Sequence, residues 1–240
     1  MSLALVKSQN RKNMFRKYFS GAVVITVITL VLIYWIKEVY IPHNNRQQAK
    51  VDLKQLTATG ALRNFDIIFQ TSNSSQSRAI QLATHSAYSH CGVVHWQGNR
   101  CFVWEACNGV TETAVEKFIA KGKGAHFVLK RLKERGPLDS AEADLKMEQC
   151  FAVYKGRPYD LYFGWGDDKL YCSELVWKLY KQAAGIELGQ LHQLKDFDLS
   201  NPIVQFKMSQ RYGFKIPLQE TVISPVDIFN SNLLTTVVEM

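Results

Sequence analysis

The residues best placed for chemistry lie in Tyr171-Cys172-Ser173-Glu174-Leu175-Val176-Trp177-Lys178-Leu179-Tyr180. Leu175, Val176, Leu179 and Tyr180 recur at helical spacing, and the polar run Gly166-Asp167-Asp168-Lys169 precedes them, so the segment reads as a helix opening at the cysteine. A thiol at a helix N-terminus feels unpaired backbone N–H groups and the positive end of the helix dipole. Both favour the thiolate over the thiol, and the thiolate is the nucleophile. The same position also suits a small buried core residue, as free cysteines often are.

A nucleophilic cysteine needs a base for its proton and a third group to orient that base. His90-Cys91-Gly92-Val93-Val94-His95-Trp96 and Cys101-Phe102-Val103-Trp104-Glu105-Ala106 flank Gln97-Gly98-Asn99-Arg100, a hairpin signal. With the turn there, Trp96 faces Cys101, Val94 faces Val103, Gly92 faces Glu105 and His90 faces Cys107. His90 and Glu105 are then diagonal neighbours on one face, and Gly92 has no side chain to separate them. A carboxylate on one imidazole nitrogen leaves the other for a thiol. His95 is one residue out of phase and points away. The same register leaves a rival, because Cys107 directly faces His90, although it lacks a helix N-terminus. His43, His85, His126 and His192 have no comparable partner and read as surface or capping residues.

The elements that must position these groups follow in order. Asp66 to Gln70 reads as a buried strand, Ser74 to His85 as a helix, then the hairpin, then a strand over His126 to Leu132. Asp139 with Glu142 three residues later suggests a capping box opening a helix to Tyr154. A Tyr/Phe/Gly-rich loop from Tyr159 to Gly166 leads to the cysteine helix, which Gly185 closes. This order predicts an α+β fold, with an antiparallel sheet packed against the cysteine-bearing helix.

From about Asp66 onward the chain resembles the circularly permuted papain-fold cysteine hydrolases, the YiiX/YebB-like branch of the NlpC-type superfamily. The resemblance rests on Asp66-Ile-Ile-Phe69, Ala79-Ile80 with Thr84, Tyr88-Ser-His-Cys-Gly-Val-Val94, Val103-Trp-Glu105, Gly156-Arg-Pro-Tyr-Asp160, Tyr171-Cys-Ser-Glu-Leu-Val176 and Ile223-Ser-Pro-Val-Asp-Ile-Phe229. Histidine precedes cysteine, as in the permuted family. The resemblance implies Cys172 as nucleophile, His90 as base, Glu105 as the orienting third residue, and Tyr171 and Tyr159 lining the cleft. It implies a thiol hydrolase acting on an amide or ester of a peptide or lipid, with no cofactor. Acyl transfer from the same acyl-enzyme and a non-catalytic envelope-binding module stand as alternatives. The segment Gln190–Ile216 lies outside the resemblance.

The N-terminus adds a membrane expectation. Phe19 to Ile36 holds 18 residues without a charge, with Tyr34 and Trp35 near its end as interfacial anchors, and no small-x-small cleavage site follows. The division expected is a basic tail at 1–18, a transmembrane anchor at 19–41, a polar linker at 42–60 with a short helix near Gln47–Leu56, and a catalytic domain at 61–240. The positive-inside rule predicts a single-pass inner-membrane protein with a cytoplasmic N-terminus and a periplasmic domain. Residues 1–50 hold eight Lys/Arg and one acid, so +7 of the net +8 belongs to the anchor. The remaining 190 residues carry 21 basic and 20 acidic groups, which removes the main argument for nucleic-acid binding. Five cysteines, an odd number, raise the possibility of disulfides with one thiol left over. A zinc site from His90, Cys91, Cys101 and Cys107 matches no standard spacing, and no metal is expected.

Overall fold

The computed structural model describes residues 23–74 and 76–240. The basic tail expected at 1–18 and the first residues of the expected anchor lie outside them. Contacts divide the chain into two units, residues 1–44 and 45–240. In the first, α1 (Val23–Ala58) begins; its apolar part is long enough to cross a membrane and carries a π-helical turn at Ile36–Tyr40.

The segment expected as a polar linker at 42–60 is instead helical throughout Ile41–Ala58. Its last turns pack within the second unit, where Asn45, Ala49, Asp52 and Leu56 are buried. Asn45 donates from its side-chain amide to the carbonyls of Ala120 and Gly122. A buried stripe that is half polar does not register as amphipathic, which is why the sequence reads as a linker.

The second unit is built on a six-stranded antiparallel sheet. Its strands are β1 (Ile67–Ser72), β2 (His90–Gln97), β3 (Arg100–Ala106), β4 (Val110–Ala114), β5 (Gly122–Leu132) and β8 (Leu234–Glu239), in the order β4-β3-β2-β1-β5-β8. A separate two-stranded pair joins β6 (His192–Gln193) to β7 (Thr221–Val222). The β2–β3 register matches the expected one, with Val94 opposite Val103 and Trp96 opposite Cys101.

Alternation divides the core. One sheet face buries Ile68, Val94, Val103 and Leu129 beneath Ala49 and Leu56 of α1 and Phe118 and Ile119 of α3 (Val115–Lys121). The other buries Ile67, Phe69, Cys91, Val93 and Trp104 against α4 (Ala141–Tyr154) and α5 (Cys172–Ala184). Ser140, rather than Asp139, caps α4, accepting from the Ala143 N–H at 3.1 Å. α5 ends at Gly185 in the left-handed conformation, φ 69°, where a side chain would be strained. The buried Tyr180 hydroxyl donates to the Phe65 carbonyl and ties α5 to the entry of β1. Asp66, fully buried beside it, accepts from Arg131 Nε at 2.7 Å and Nη2 at 2.6 Å. α2 (Ser77–Thr84), α6 (Pro202–Tyr212) and α7 (Pro225–Phe229) complete the unit. α6 falls in Gln190–Ile216, the segment outside the expected family pattern.

Candidate active site

Cys172 is the first residue of α5, whose N-terminus is held by Glu174 accepting from the Tyr171 N–H at 3.4 Å. Lys178, one turn on, lies 2.8 Å from Glu174. Burial still pushes the Glu174 carboxyl up to about 7, with Lys178 opposing. The α5 N-terminus is therefore braced beneath the thiol.

His90 opens β2 on the face it shares with Glu105. Its Nε2 lies 2.6 Å from Glu105 Oε2, and both side chains are nearly excluded from solvent. The other oxygen of Glu105 accepts from Thr113 Oγ1 at 2.6 Å and from Lys121 Nζ at 3.1 Å. The absence of a side chain at Gly92 is a geometric requirement. A Cβ there would sit 2.4 Å from Val103 Cγ1 and 2.7 Å from the Trp104 carbonyl oxygen.

His90 also acts on the Cys172 thiol, through its charge and through hydrogen bonding. Because Nε2 is committed to Glu105, Nδ1 is the nitrogen left for the thiol. Cys172 is buried, yet its thiol is pushed well below the usual value. Hydrogen bonding from the Cys91 thiol is the largest cause; burial opposes it, and the His90 charge adds to it. Burial would lower the His90 pKa, but the Cys172 charge and the bonds to Cys172 and Glu105 raise it to about 10. Glu105 is pushed up by burial and down by His90, Thr113 and Lys121, and settles at about 2. All three shifts run in the same sense, favouring a thiolate, an imidazolium and a carboxylate.

Cys91 is the site residue that the sequence reading missed. It lies beside His90 on the opposite face of β2, toward α5, and its thiol is pushed up by burial and by bonding to Cys172. The available signal was its place within Ser89-His90-Cys91-Gly92, which a reading focused on His90 passes over. Cys107, the rival thiol, is half-buried, and its pKa is raised by burial and by the Glu105 charge. That shift runs opposite to the one at Cys172. All five cysteines are free thiols in this structure. His95 points to the opposite face as expected and stacks on Trp104 at 4.3 Å between ring centroids. His85 and His192, read as lacking partners, lie 3.2 Å from Asp198 and 3.4 Å from Asp227.

A small cleft of about 80 Å³ opens beside Cys172, between α2, α6 and the turn into α7. Tyr159 and Tyr171 both line it. The Tyr159 hydroxyl accepts from Gln76 Nε2 at 3.1 Å, and burial with the nearby Cys172 charge keeps the phenol protonated. The Tyr171 hydroxyl accepts the Ile223 N–H at 3.1 Å, which fixes the wall behind the sulfur.

A cysteine at a helix N-terminus, met by a histidine and carboxylate from an earlier hairpin, defines a papain-like arrangement in permuted chain order. The chain belongs to the permuted papain-like amidase family, YaeF/YiiX, C92, whose family model matches residues 61–238. The uncharacterized protein YiiX of Escherichia coli strain K12 is 48% identical over 172 residues, covering 72% of this chain and 84% of that protein. The crystal structure of metalloprotein YiiX from Escherichia coli O157:H7 superposes with a TM-score of 0.71 at 47% identity. It covers 74% of this chain and 97% of that one.

Proposed function

We propose that the protein is a membrane-anchored thiol hydrolase that cleaves an amide or ester through a thioester on Cys172. The observation that carries this reading is the convergence of the Cys172 thiol, at the start of α5, on a His90 already paired with Glu105 at 2.6 Å. The thiolate attacks the carbonyl carbon, and the negative charge moves to the carbonyl oxygen. The Cys172 N–H, in the first turn of α5, is one donor to that oxyanion. The Tyr159 hydroxyl is the second, since it accepts from Gln76 and keeps its own proton to give. His90 passes its proton to the departing amine or alcohol as the carbon–heteroatom bond breaks. The neutral imidazole then takes a proton from water, the water adds to the thioester, and the acid leaves as the thiolate returns.

The Escherichia coli relative is described as a metalloprotein. Among the described residues of this chain, no three His, Cys, Asp or Glu side chains converge to hold an ion. His90 and Cys91, the donors beside the sulfur, are committed to Glu105 and Cys172. The residues do not fit a metal, and no step passes through one.

The apolar α1 start, with basic residues on its N-terminal side, supports a single-pass inner-membrane anchor with the domain on the periplasmic side. The test is Cys172→Ala: turnover of amide and ester substrates and labelling by thiol probes should both vanish, and full activity in that variant would sink the proposal. Product analysis with and without an added amine separates hydrolysis from acyl transfer.

A further inference from the structure

α6 and the turn that follows it carry large apolar side chains on the outside of the domain. Ile203 and Phe206, neighbours on one side of α6, are 45% and 59% exposed, while Val204 and Met208 face inward and are buried. α6 ends at Gly213, whose φ of 60° and ψ of −125° open a type II′ turn. The Lys215 N–H closes that turn on the Tyr212 carbonyl at 3.2 Å, and Phe214, at its second corner, is fully exposed. The Tyr212 hydroxyl donates to the Tyr162 carbonyl, and the two rings meet edge to face at 5.7 Å. That contact joins exposed Leu161 and Tyr162 to the same end of the helix. The chemistry at Cys172 uses none of these side chains, and an apolar stretch of this kind marks a surface built to be covered.

The charge around this surface runs one way. From Leu199 to Gln219 the chain holds Lys207, Arg211 and Lys215 and no aspartate or glutamate. Arg211 and Lys207 are half-buried, the first over the Phe163 ring and bonded to Gln76, the second bonded to Gln210. Lys215 is exposed beside Phe214. Apolar side chains flanked by cations match a bilayer with acidic headgroups, where rings enter the boundary and ammonium groups meet phosphate. A second copy of this face would bring like charges together, which opposes self-association. The same chain also carries an apolar helix long enough to cross a membrane, so a bilayer is at hand. We propose that the outer face of α6 and the Phe214 turn form a membrane-docking surface that takes an anionic phospholipid bilayer. The inner side of α6 lines the cleft beside Cys172, so docking brings that cleft to the bilayer surface. The segment Gln190–Ile216, which carries none of the motifs behind the family resemblance, thereby acquires a role. The choice of a bilayer as the occupant rests on the anchor reading of α1, and the two are tested separately.

The test uses the full chain in vesicles of equal parts phosphatidylcholine and phosphatidylglycerol, with benzoylphenylalanine in place of Phe206 or of Phe214. Both side chains are exposed, so the fold should tolerate either replacement. Irradiation should give phospholipid adducts at both positions, read by mass spectrometry, and few when the probe replaces Asn99 in the β2–β3 turn. Lys215→Gln should lower the adduct yield at position 206 about fivefold, the loss expected for one cation at an acidic surface, and vesicles of phosphatidylcholine alone should lower it further. Equal yields at positions 99 and 214, or adducts with a second copy of the chain in place of lipid, overturn the proposal. Washing the vesicles with alkaline carbonate reads the anchor independently. A chain that resists the wash but gives no lipid adduct keeps the anchor and overturns the docking surface. A chain that the wash strips, yet that gives adducts at 206 and 214, loses the anchor and keeps the surface. A chain that fails both loses both.

Discussion

His90 Nε2 and Glu105 Oε2 are 2.6 Å apart across the β2–β3 hairpin, with Gly92 as the gap that admits them. The contact leaves Nδ1 as the nitrogen facing the thiol, and it raises the His90 pKa, which favours a positive charge beside the Cys172 sulfur. Thr113 and Lys121 donate to the second oxygen of Glu105 and help keep it ionised for that role.

Glu105→Gln should therefore change the proton chemistry rather than the fold alone. The His90 pKa should fall from about 10, and the alkaline limb of kcat should move to lower pH with it. The rate at neutral pH should drop about 100-fold. A pH–rate profile checks this; an unmoved alkaline limb would show that Glu105 does not orient the imidazole.

Cys172 should be the thiol that iodoacetamide modifies first at about pH 6, where ordinary thiols are protonated. Cys91, Cys101, Cys107 and Cys150 all have raised pKa values and should lag. Replacing Cys91 by Ala removes the hydrogen bond that does most to lower the Cys172 pKa, so the pH midpoint of Cys172 alkylation should rise. Peptide mapping after timed alkylation measures both.

The thiolate–imidazolium pair makes a specific demand on stability against pH. His90 is raised from 6.5 to about 10, so its contribution is present below 6.5 and lost as pH rises through 10. Cys172 is lowered well below 9.0, so its contribution is present above 9.0 and lost as pH falls. Between 6.5 and 9 the folded and unfolded pairs each hold one proton, and the two trends cancel. This site should give a stability plateau there, with a loss of about 1.4 kcal/mol per pH unit just outside it on either side. Below 4.5, protonation of Glu105 adds to the acid loss as pH falls toward about 2. The difference between urea-unfolding free energies of the wild type and Cys172→Ala, followed across pH, isolates this term.

Gly92→Ala should cost about 1–3 kcal/mol, because the added Cβ meets Val103 and the Trp104 carbonyl at distances no real Cβ adopts. It should also lower kcat by moving β3, and Glu105 with it, away from His90. Thermal unfolding and turnover, measured on the same preparation, should fall together.

Asp66→Ala should destabilise by about 3–5 kcal/mol, since it strands the partly buried Arg131 without its fully buried carboxylate partner at the base of the sheet. Denaturant unfolding reads this directly, and substrate KM should change little in the fraction that remains folded.

Much of the site was legible in the chain itself, because its determinants are local. Strand alternation has a period of two, so one turn at Gly98-Asn99 sets the register that places His90 and Glu105 on one face. The helix start at Cys172 and its stop at Gly185 follow from neighbouring residues alone. The resemblance pointed to Cys172 rather than Cys107, but the environment that separates the two thiols is not local. It required β2 and α5, some 80 residues apart in sequence, to pack so that Cys91 and His90 both reach one sulfur. The burial of Asn45 and Asp52 in a segment that reads as a linker has the same origin, because the partners of Asn45 are carbonyls at the far end of α3. The cleft was the least legible of all: α2, α6 and Ile223 meet only in the folded chain. Residue type and spacing determined that a thiol, an imidazole and a carboxylate were available in a workable register. Only tertiary packing brought Cys91, His90 and the cleft lining to the Cys172 thiol, since these groups are distant in sequence and share one desolvated space.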